Sequence, residues 1–412
     1  MRKNLKKIEL LAPAGDMEKL KTALHFGADA VYFAGKNYGL RAFASNFEDE
    51  DLKQAVKLVH DKGKKAYITL NVFARNKDFI GLSDYLKVLE DAKIDACIVS
   101  DLGLFMFIRE HAPKLALHVS TQANTTNMFS ANAWAKLGAE RIILARELSL
   151  KEIEEITKSL PKNVEVEAFV HGAMCISYSG RCLLSNYLAQ RDSNHGECVQ
   201  ACRWHYKLVE DERPDEKLDI EEDERGAYIL NSKDLCLIEY LDKLANAGVT
   251  SFKIEGRMKS AYYVATVVNA YRRALDYYYA CQKTGEQFCV NSDLILELNK
   301  ASHRKYTTGF IFETDQLKQN YESASQEQES VFKAIVLNVE NGKVLVEQRN
   351  KFSVGDSLEI LSPNNSFNKK FEVLEITDEL GNKLDCAKLV QQKVWITPSK
   401  DYKLVAGDIL RA

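Results

Sequence analysis

The strongest constraint in this chain is a pattern that repeats seven times before residue 173. A short apolar run ends in Gly or polar residues and is followed by an amphipathic stretch. The runs are 8–11, 30–35, 66–71, 96–101, 115–122, 141–146 and 164–172. Between them, Leu52, Ala55, Val56 and Val59 fall at i, i+3, i+4 and i+7, as do Leu82, Tyr85, Leu86 and Leu89, so each stretch is a helix with one buried face. An eighth run, 251–257, follows a long interruption and precedes a helical pattern from Ser260 to Cys281. Eight βα units predict a TIM-type (β/α)8 barrel over residues 1–315, with a Cys-rich insertion, 173–250, before the last strand.

Strand parity favours the barrel over a doubly wound sheet, whose buried strands are apolar on both faces. Val164, Val166, Ala168 and Val170 alternate with Glu165, Glu167, Phe169 and His171, so the carboxylates point inward. Lys253, Glu255 and Arg257 share one side of the eighth run, and His118, Ser120 and Gln122 share one side of the fifth. This places charge inside the barrel near its C-terminal mouth.

After a polar linker, 316–329, the pattern changes to short alternating runs with turns. Asn341-Gly342 between two such runs is a hairpin signal, and residues 330–412 are expected to form a small C-terminal all-β barrel domain. Lys plus Arg is 56 against 59 for Asp plus Glu, a net charge of −3, so any RNA contact must come from a local patch. The longest apolar run, 102–108, is far short of the roughly 20 residues of a bilayer span. Basic residues at the N-terminus precede only 10–12 before Pro13, too little for a signal-peptide core. No membrane association and a cytoplasmic location are expected.

Five of nine cysteines lie in or beside the insertion: Cys175, Cys182, Cys198, Cys202 and Cys236. They sit among Gly, Ser, Asn and Arg, where a thiol has little apolar surface to cover. Cys97, Cys281, Cys289 and Cys386 are expected to be small hydrophobes instead. Zinc favours compact ligand pairs, and only Cys198 and Cys202 are spaced so. An iron–sulfur cluster accepts wider spacing, because its thiolates converge from separate loops. A thiol nucleophile beside His171 or His195 is the third option, but one nucleophile does not account for five cysteines.

The segment Glu167-Ala-Phe-Val-His-Gly-Ala-Met-Cys175-Ile-Ser-Tyr-Ser-Gly180-Arg-Cys182-Leu-Leu-Ser185 resembles the signature of peptidase family U32, the collagenase-like family. Leu11-Ala-Pro-Ala-Gly-Asp16, Arg191-Asp-Ser-Asn-His-Gly-Glu-Cys198-Val-Gln-Ala-Cys202-Arg-Trp204, Asn231-Ser-Lys-Asp-Leu-Cys236 and Lys253-Ile-Glu-Gly-Arg257 extend the resemblance over residues 8–280. The resemblance is greatest to the branch that hydroxylates tRNA uridine at its C5 position without oxygen. It implies a four-iron four-sulfur cluster on Cys175, Cys182, Cys198 and Cys236, with Cys202 as the alternative to Cys198. It also implies 5-hydroxyuridine formation at the wobble position, prephenate as oxygen source and an electron donor, and it leaves a partner subunit open.

Given that chemistry, His171, Glu167, Arg257 and Glu255 are the candidate catalytic residues. Lys253, Arg146, His118 and Gln122 are the candidates for binding a small dicarboxylate cosubstrate, since a dianion in a partly dry pocket needs cations. Arg203 and Trp204 offer a cation and a ring to an unpaired base of tRNA. A peptidase is the alternative, although the chain has no HExxH or Gly-x-Ser-x-Gly motif. A binding module stapled by its cluster is the third reading.

Overall fold

The structure is a computed structural model that describes residues 7–36, 47–175, 177, 184–191, 199, 201, 222–223, 226–227, 233–312 and 327–412. Seven parallel strands follow one another around a ring: β1 (Glu9–Pro13), β2 (Ala30–Phe33), β3 (Lys65–Leu70), β4 (Ala96–Val99), β5 (Ala116–Val119), β6 (Arg141–Ile143) and β7 (Glu165–Ala173). Within the insertion, β8 (Glu222–Asp223) and β9 (Gly226–Ala227) form a two-residue ladder, and β10 (Asp234–Cys236) follows. The ring closes through β11 (Ser251–Ile254), which pairs in parallel with both β1 and β7. The fold is therefore a TIM-type barrel.

Six helices, α1 (Met17–His25), α2 (Asp49–Asp61), α3 (Leu82–Asp91), α4 (Leu102–His111), α5 (Met128–Lys136) and α6 (Leu150–Ser159), follow β1 to β6 in turn. Several begin at a side chain that satisfies an otherwise unbonded helical N–H. Asp16 accepts from Lys19 N, Asp101 from Leu104 N and Asn127 from Ser130 N, while Ser149 and Glu152 form a reciprocal capping box. The faces read from the sequence are the buried ones: Leu52, Ala55, Val56 and Val59 in α2, and Leu82, Tyr85, Leu86 and Leu89 in α3. The insertion contributes α7 (Leu184–Ala189) and α8 (Leu241–Asn246). After β11 come α9 (Ala261–Thr284), capped by Ser260, and α10 (Ser292–Asn299).

Six strands end before their runs do, and in two of them this moves candidate residues out of the sheet. β5 stops at Val119, and residues Thr121–Ala123 turn into a 3-10 helix that lifts Gln122 out of the sheet. β11 stops at Ile254, so Glu255 and Arg257 lie beyond it. β10 has no counterpart in the sequence reading. It runs antiparallel to the end of β7 and is joined in parallel by β12 (Tyr306–Thr307). Cys97 and Cys281 are buried as expected, but Cys289 is exposed and Cys386 half-buried, a correction to the idea that all four fill apolar space.

The C-terminal region is antiparallel. Its strands are β13 (Phe332–Glu340), β14 (Lys343–Gln348), β15 (Phe352–Ser353), β16 (Ser357–Leu361), β17 (Lys370–Thr377), β18 (Lys383–Leu384), β19 (Cys386–Ala387), β20 (Lys393–Pro398) and β21 (Ile409–Arg411). Six of them close in the order β16-β21-β13-β14-β20-β17, with β17 returning to β16. The turn between β13 and β14 places Asn341 and Gly342 at φ 49° and 76°, the left-handed pair that a two-residue hairpin of this kind requires.

This small barrel is locked to the large one by a wholly buried ion pair. Arg411 on β21 donates through both terminal nitrogens to Glu297 on α10, at 2.6 and 2.7 Å, and its Nε donates to Glu359 at 2.8 Å. Burial alone would lower the Arg411 guanidinium, yet its bonds to Glu297 hold it above the usual value. Arg411→Met should therefore cost about 3–5 kcal/mol in chemical denaturation, because it takes both guanidinium bonds from a buried carboxylate and leaves it only Lys300 at 3.3 Å. Adding Glu297→Leu should recover part of the loss, and a single-variant loss below about 1 kcal/mol would contradict this account.

Candidate functional site

The last residues of β7 run past the barrel rim. β7 pairs with β11 up to His171, where the register shifts, and then with β10 in the opposite sense, which sets Cys236 across from His171. Gly172 makes this possible. Its φ is 111°, and a Cβ there would stand 2.6 Å from the Glu255 carbonyl oxygen. The backbone of Glu255 accordingly bonds back to His171 O at 2.8 Å, which holds Glu255 at the mouth.

Behind this strand pair, Tyr271 of α9 is a hub. Its hydroxyl donates to Val170 O at 2.8 Å and accepts from Leu237 N at 3.2 Å, and it lies 3.3 Å from His171 Nδ1 and 3.8 Å from Cys236 Sγ. Tyr263, Tyr271 and Tyr306 surround the His171 ring. Burial, followed by His303 and Lys259, lowers the His171 pKa to about 3, so the imidazole is neutral. Burial pushes the Cys236 thiol up to about 11. Cys175 lies two residues beyond the end of β7; like Cys236 it is a half-buried cysteine.

Other mouth residues come from the neighbouring loops. Arg257, nearly buried, donates from Nη1 to Thr69 Oγ1 of β3 at 2.9 Å. Tyr32 Oη lies 3.4 Å from Glu255 Oε2. Gln122 accepts from Asn71 Nδ2 at 3.1 Å, joining the loops after β3 and β5. Arg146 donates to Ala173 O at 2.9 Å and lies over the Phe169 ring.

Three residues expected at the mouth lie deeper. Glu167 is fully buried and bonds Arg141 and Lys253, each at 2.9 Å. Lys253 is occupied by that carboxylate and sits 4.4 Å from the centre of the Tyr32 ring. His118 packs on Tyr67 and helps line a cavity of about 220 Å³ at the opposite, N-terminal end, with Lys65, Asp95, Arg141 and Glu165. The correction has a simple cause: alternation gives the face of a strand, not the depth along it. The missed residue is Arg141, which also bonds Glu9 at 2.6 Å and Glu165 at 2.6 Å. Burial would lower its pKa, but Glu9 and Glu167 hold it well above the usual value. An Arg opening a short apolar strand was the available signal.

Cys182, Cys198, Cys202, Arg203 and Trp204 lie outside the described residues. Among the described residues no three His, Cys, Asp or Glu side chains converge as a metal site. Two of the candidate thiols, Cys175 and Cys236, are described at the mouth. No helix among the described residues is long and apolar enough to cross a membrane.

Residues 15–321 match the family model described as Peptidase family U32, and residues 328–411 match that of the Peptidase family U32 C-terminal domain. The chain is 41% identical over 387 residues to the tRNA hydroxylation protein P1 of Bacillus subtilis, covering 93% of this chain and 90% of the relative. It is 37% identical over 448 residues to the tRNA hydroxylation protein P of Escherichia coli, covering 98% and 97%. A protein named Collagenase from Porphyromonas gingivalis is 35% identical over 285 residues, covering 67% of each.

The buried histidines give a pH test. Burial, then Arg141, Lys253 and Lys65, hold His118 well below its ordinary 6.5. The unfolded chain thus takes up a proton below about pH 6.5 that the folded chain refuses, so stability falls as pH drops. His118→Gln should shrink the loss of denaturation free energy between pH 7.5 and 5.5. An unchanged loss would show that His118 does not contribute to it.

Proposed function

The chain belongs to peptidase family U32, and on that premise we propose that it hydroxylates tRNA without molecular oxygen, making 5-hydroxyuridine at the wobble position with an iron–sulfur cluster and prephenate as oxygen source. The observation that carries this reading is that Cys236 on β10 and Cys175 just beyond β7 both lie at the C-terminal rim of a chain similar nearly end to end to proteins named for tRNA hydroxylation. The protein would act in the cytoplasm, where its tRNA is, with an electron donor of unassigned identity.

The donor chemistry fits a four-iron four-sulfur cluster. Cys236 on β10 and Cys175, two residues beyond the end of β7, would be soft thiol ligands. Cys182 and Cys198 would complete the set, with Cys202 as the alternative to Cys198. When bound, such a cluster supplies one-electron chemistry and an iron face for a small oxygenated molecule. Around it, neutral His171 would offer its imidazole as a hydrogen-bonding group near Cys236, and Tyr271 fixes its ring. Thr69 orients Arg257 toward a substrate carboxylate, and Glu255 stands beside Tyr32 on the same rim. Arg146 adds a second cation.

The peptidase alternative needs an activated nucleophile. A Cys236 thiol pushed up to about 11 by burial is the reverse of an activated one, whereas a cationic metal would stabilise the thiolate there. The similarity to a collagenase covers the smaller share of the chain.

Anaerobically purified protein is expected to hold about four irons per chain. Cys236→Ser should lose that iron and the 5-hydroxyuridine measured by mass spectrometry of tRNA nucleosides in a complemented deletion strain, while Cys289→Ser, at an exposed site, keeps both. Zinc in place of iron, or unmodified tRNA with the unaltered chain, would sink the reading. Arg257→Lys should retain iron but lose most of the modification, because Lys lacks the planar fork that matches a carboxylate. Full modification by that variant would remove the clamp role.

A further inference from the structure

The barrel carries a cavity that the function proposed above does not use. At the N-terminal end, about 220 Å³ of space is walled by the first residues of β3, β5, β6 and β7. Pockets for drug-sized ligands begin at roughly 300 Å³, so this one suits a smaller molecule. Part of its polar wall is already spent. Asp95 bonds His60 at 2.9 Å and Ala66 N at 2.7 Å, Tyr67 donates to Glu9 at 2.7 Å, and Glu165 accepts from Arg141. Four other lining side chains are not spent. His118 is buried, and its Nδ1 is sealed from water with no hydrogen-bond partner, a condition that buried polar atoms rarely show. Lys65, Glu140 and Asn163 stand exposed at the rim, and among the described residues their side chains make no ion pair or hydrogen bond.

The charges are sorted by sign around the ring. Lys65 opens β3, whereas Glu140 precedes β6 and Glu165 opens β7, three and four strands further on. With neighbouring strands about 4.8 Å apart, Lys65 and Glu140 start about 14 Å from each other along the wall. His118 on β5 lies between them. Its imidazole is kept neutral by burial and then by Arg141, Lys253 and Lys65, so it offers one N–H donor and one acceptor. We infer that the cavity binds a small zwitterion, a molecule with an ammonium and a carboxylate a few bonds apart, with Lys65 and His118 facing the carboxylate and Glu140 facing the ammonium. A lone anion would meet Glu140 and Glu165, and a lone cation would meet Lys65 and Arg141; a dipolar molecule escapes both conflicts. The Asn163 amide can serve either end. Arg141 lines the cavity and also bonds Glu9 and Glu167, so an occupant bears on the seam where the ring closes. The site is at the opposite end of the barrel from Cys236, and the inference is independent of the function proposed above.

The test uses the full chain, purified anaerobically, in calorimetry and thermal melting. Glycine, β-alanine and 4-aminobutyrate are the probes, carrying both charges at increasing separation, and butyrate and butylammonium are the single-charge controls. At least one zwitterion should bind about tenfold or more tightly than either control and raise the melting temperature. Lys65→Met and Glu140→Gln replace exposed residues, so the ligand-free chain should melt as before, while each weakens that binding several-fold. His118→Leu should weaken it about tenfold without lowering the melting temperature of the ligand-free chain, because it removes a buried polar atom that has no partner. A purely structural His118 predicts the opposite pair, a lower melting temperature and unchanged affinity, and that result overturns the site. So does a control that binds as well as the best zwitterion, binding that survives both rim substitutions, or a chain that binds none of the three zwitterions.

Discussion

One guanidinium ties four of the eight barrel strands together. Arg141 on β6 reaches Glu9 on β1, Glu165 and Glu167 on β7, and Ser251 on β11. These strands meet at the seam where the ring closes across the insertion. Arg141 and Glu167 are both buried, so removing either would deprive the other of one of its charged partners in a site with little water. Lys253 supplies the second cation for Glu167. The arrangement demands that all four strands be present and in register, which an apolar core of similar size does not.

The charge is thereby spent at depth. In a TIM barrel, reactive groups gather at the C-terminal mouth and stabilising ones at the N-terminal end, and this chain follows that division. The network and the small cavity beside His118 occupy the lower half. The mouth keeps the cysteines, the neutral His171 and two arginines: Arg146, which donates to a backbone carbonyl, and Arg257, which donates to the Thr69 hydroxyl.

Much of this was legible in the residues. Period-2 alternation in 164–171 gave the inward face of β7, and the helical spacing in 52–59 and 82–89 gave the buried faces of α2 and α3. Depth was not legible, so Glu167, Lys253 and His118 were placed at the wrong level. β10 is three residues long, too short for any periodicity, and its pairing with β7 depends on a contact more than sixty positions away. Arg411 and Glu297 are separated by 114 positions, and nothing local marks either as half of a buried pair.

The pairing of β10 with β7 also bears on how such a chain can fold at all. The contacts that close the ring join Glu9 to Ser251, 242 positions apart, and long loops slow the search for such partners. Once β10 has zipped against β7, the insertion is folded back on itself. Only a single turn and α8 then separate the end of β10 from the start of β11. A distant closure becomes a neighbouring strand-helix-strand step, and the entropy of the long excursion is met beforehand, in a separate event. The short strand that carries Cys236 is thus also a splint, which in the folded chain brings β11 back beside β7.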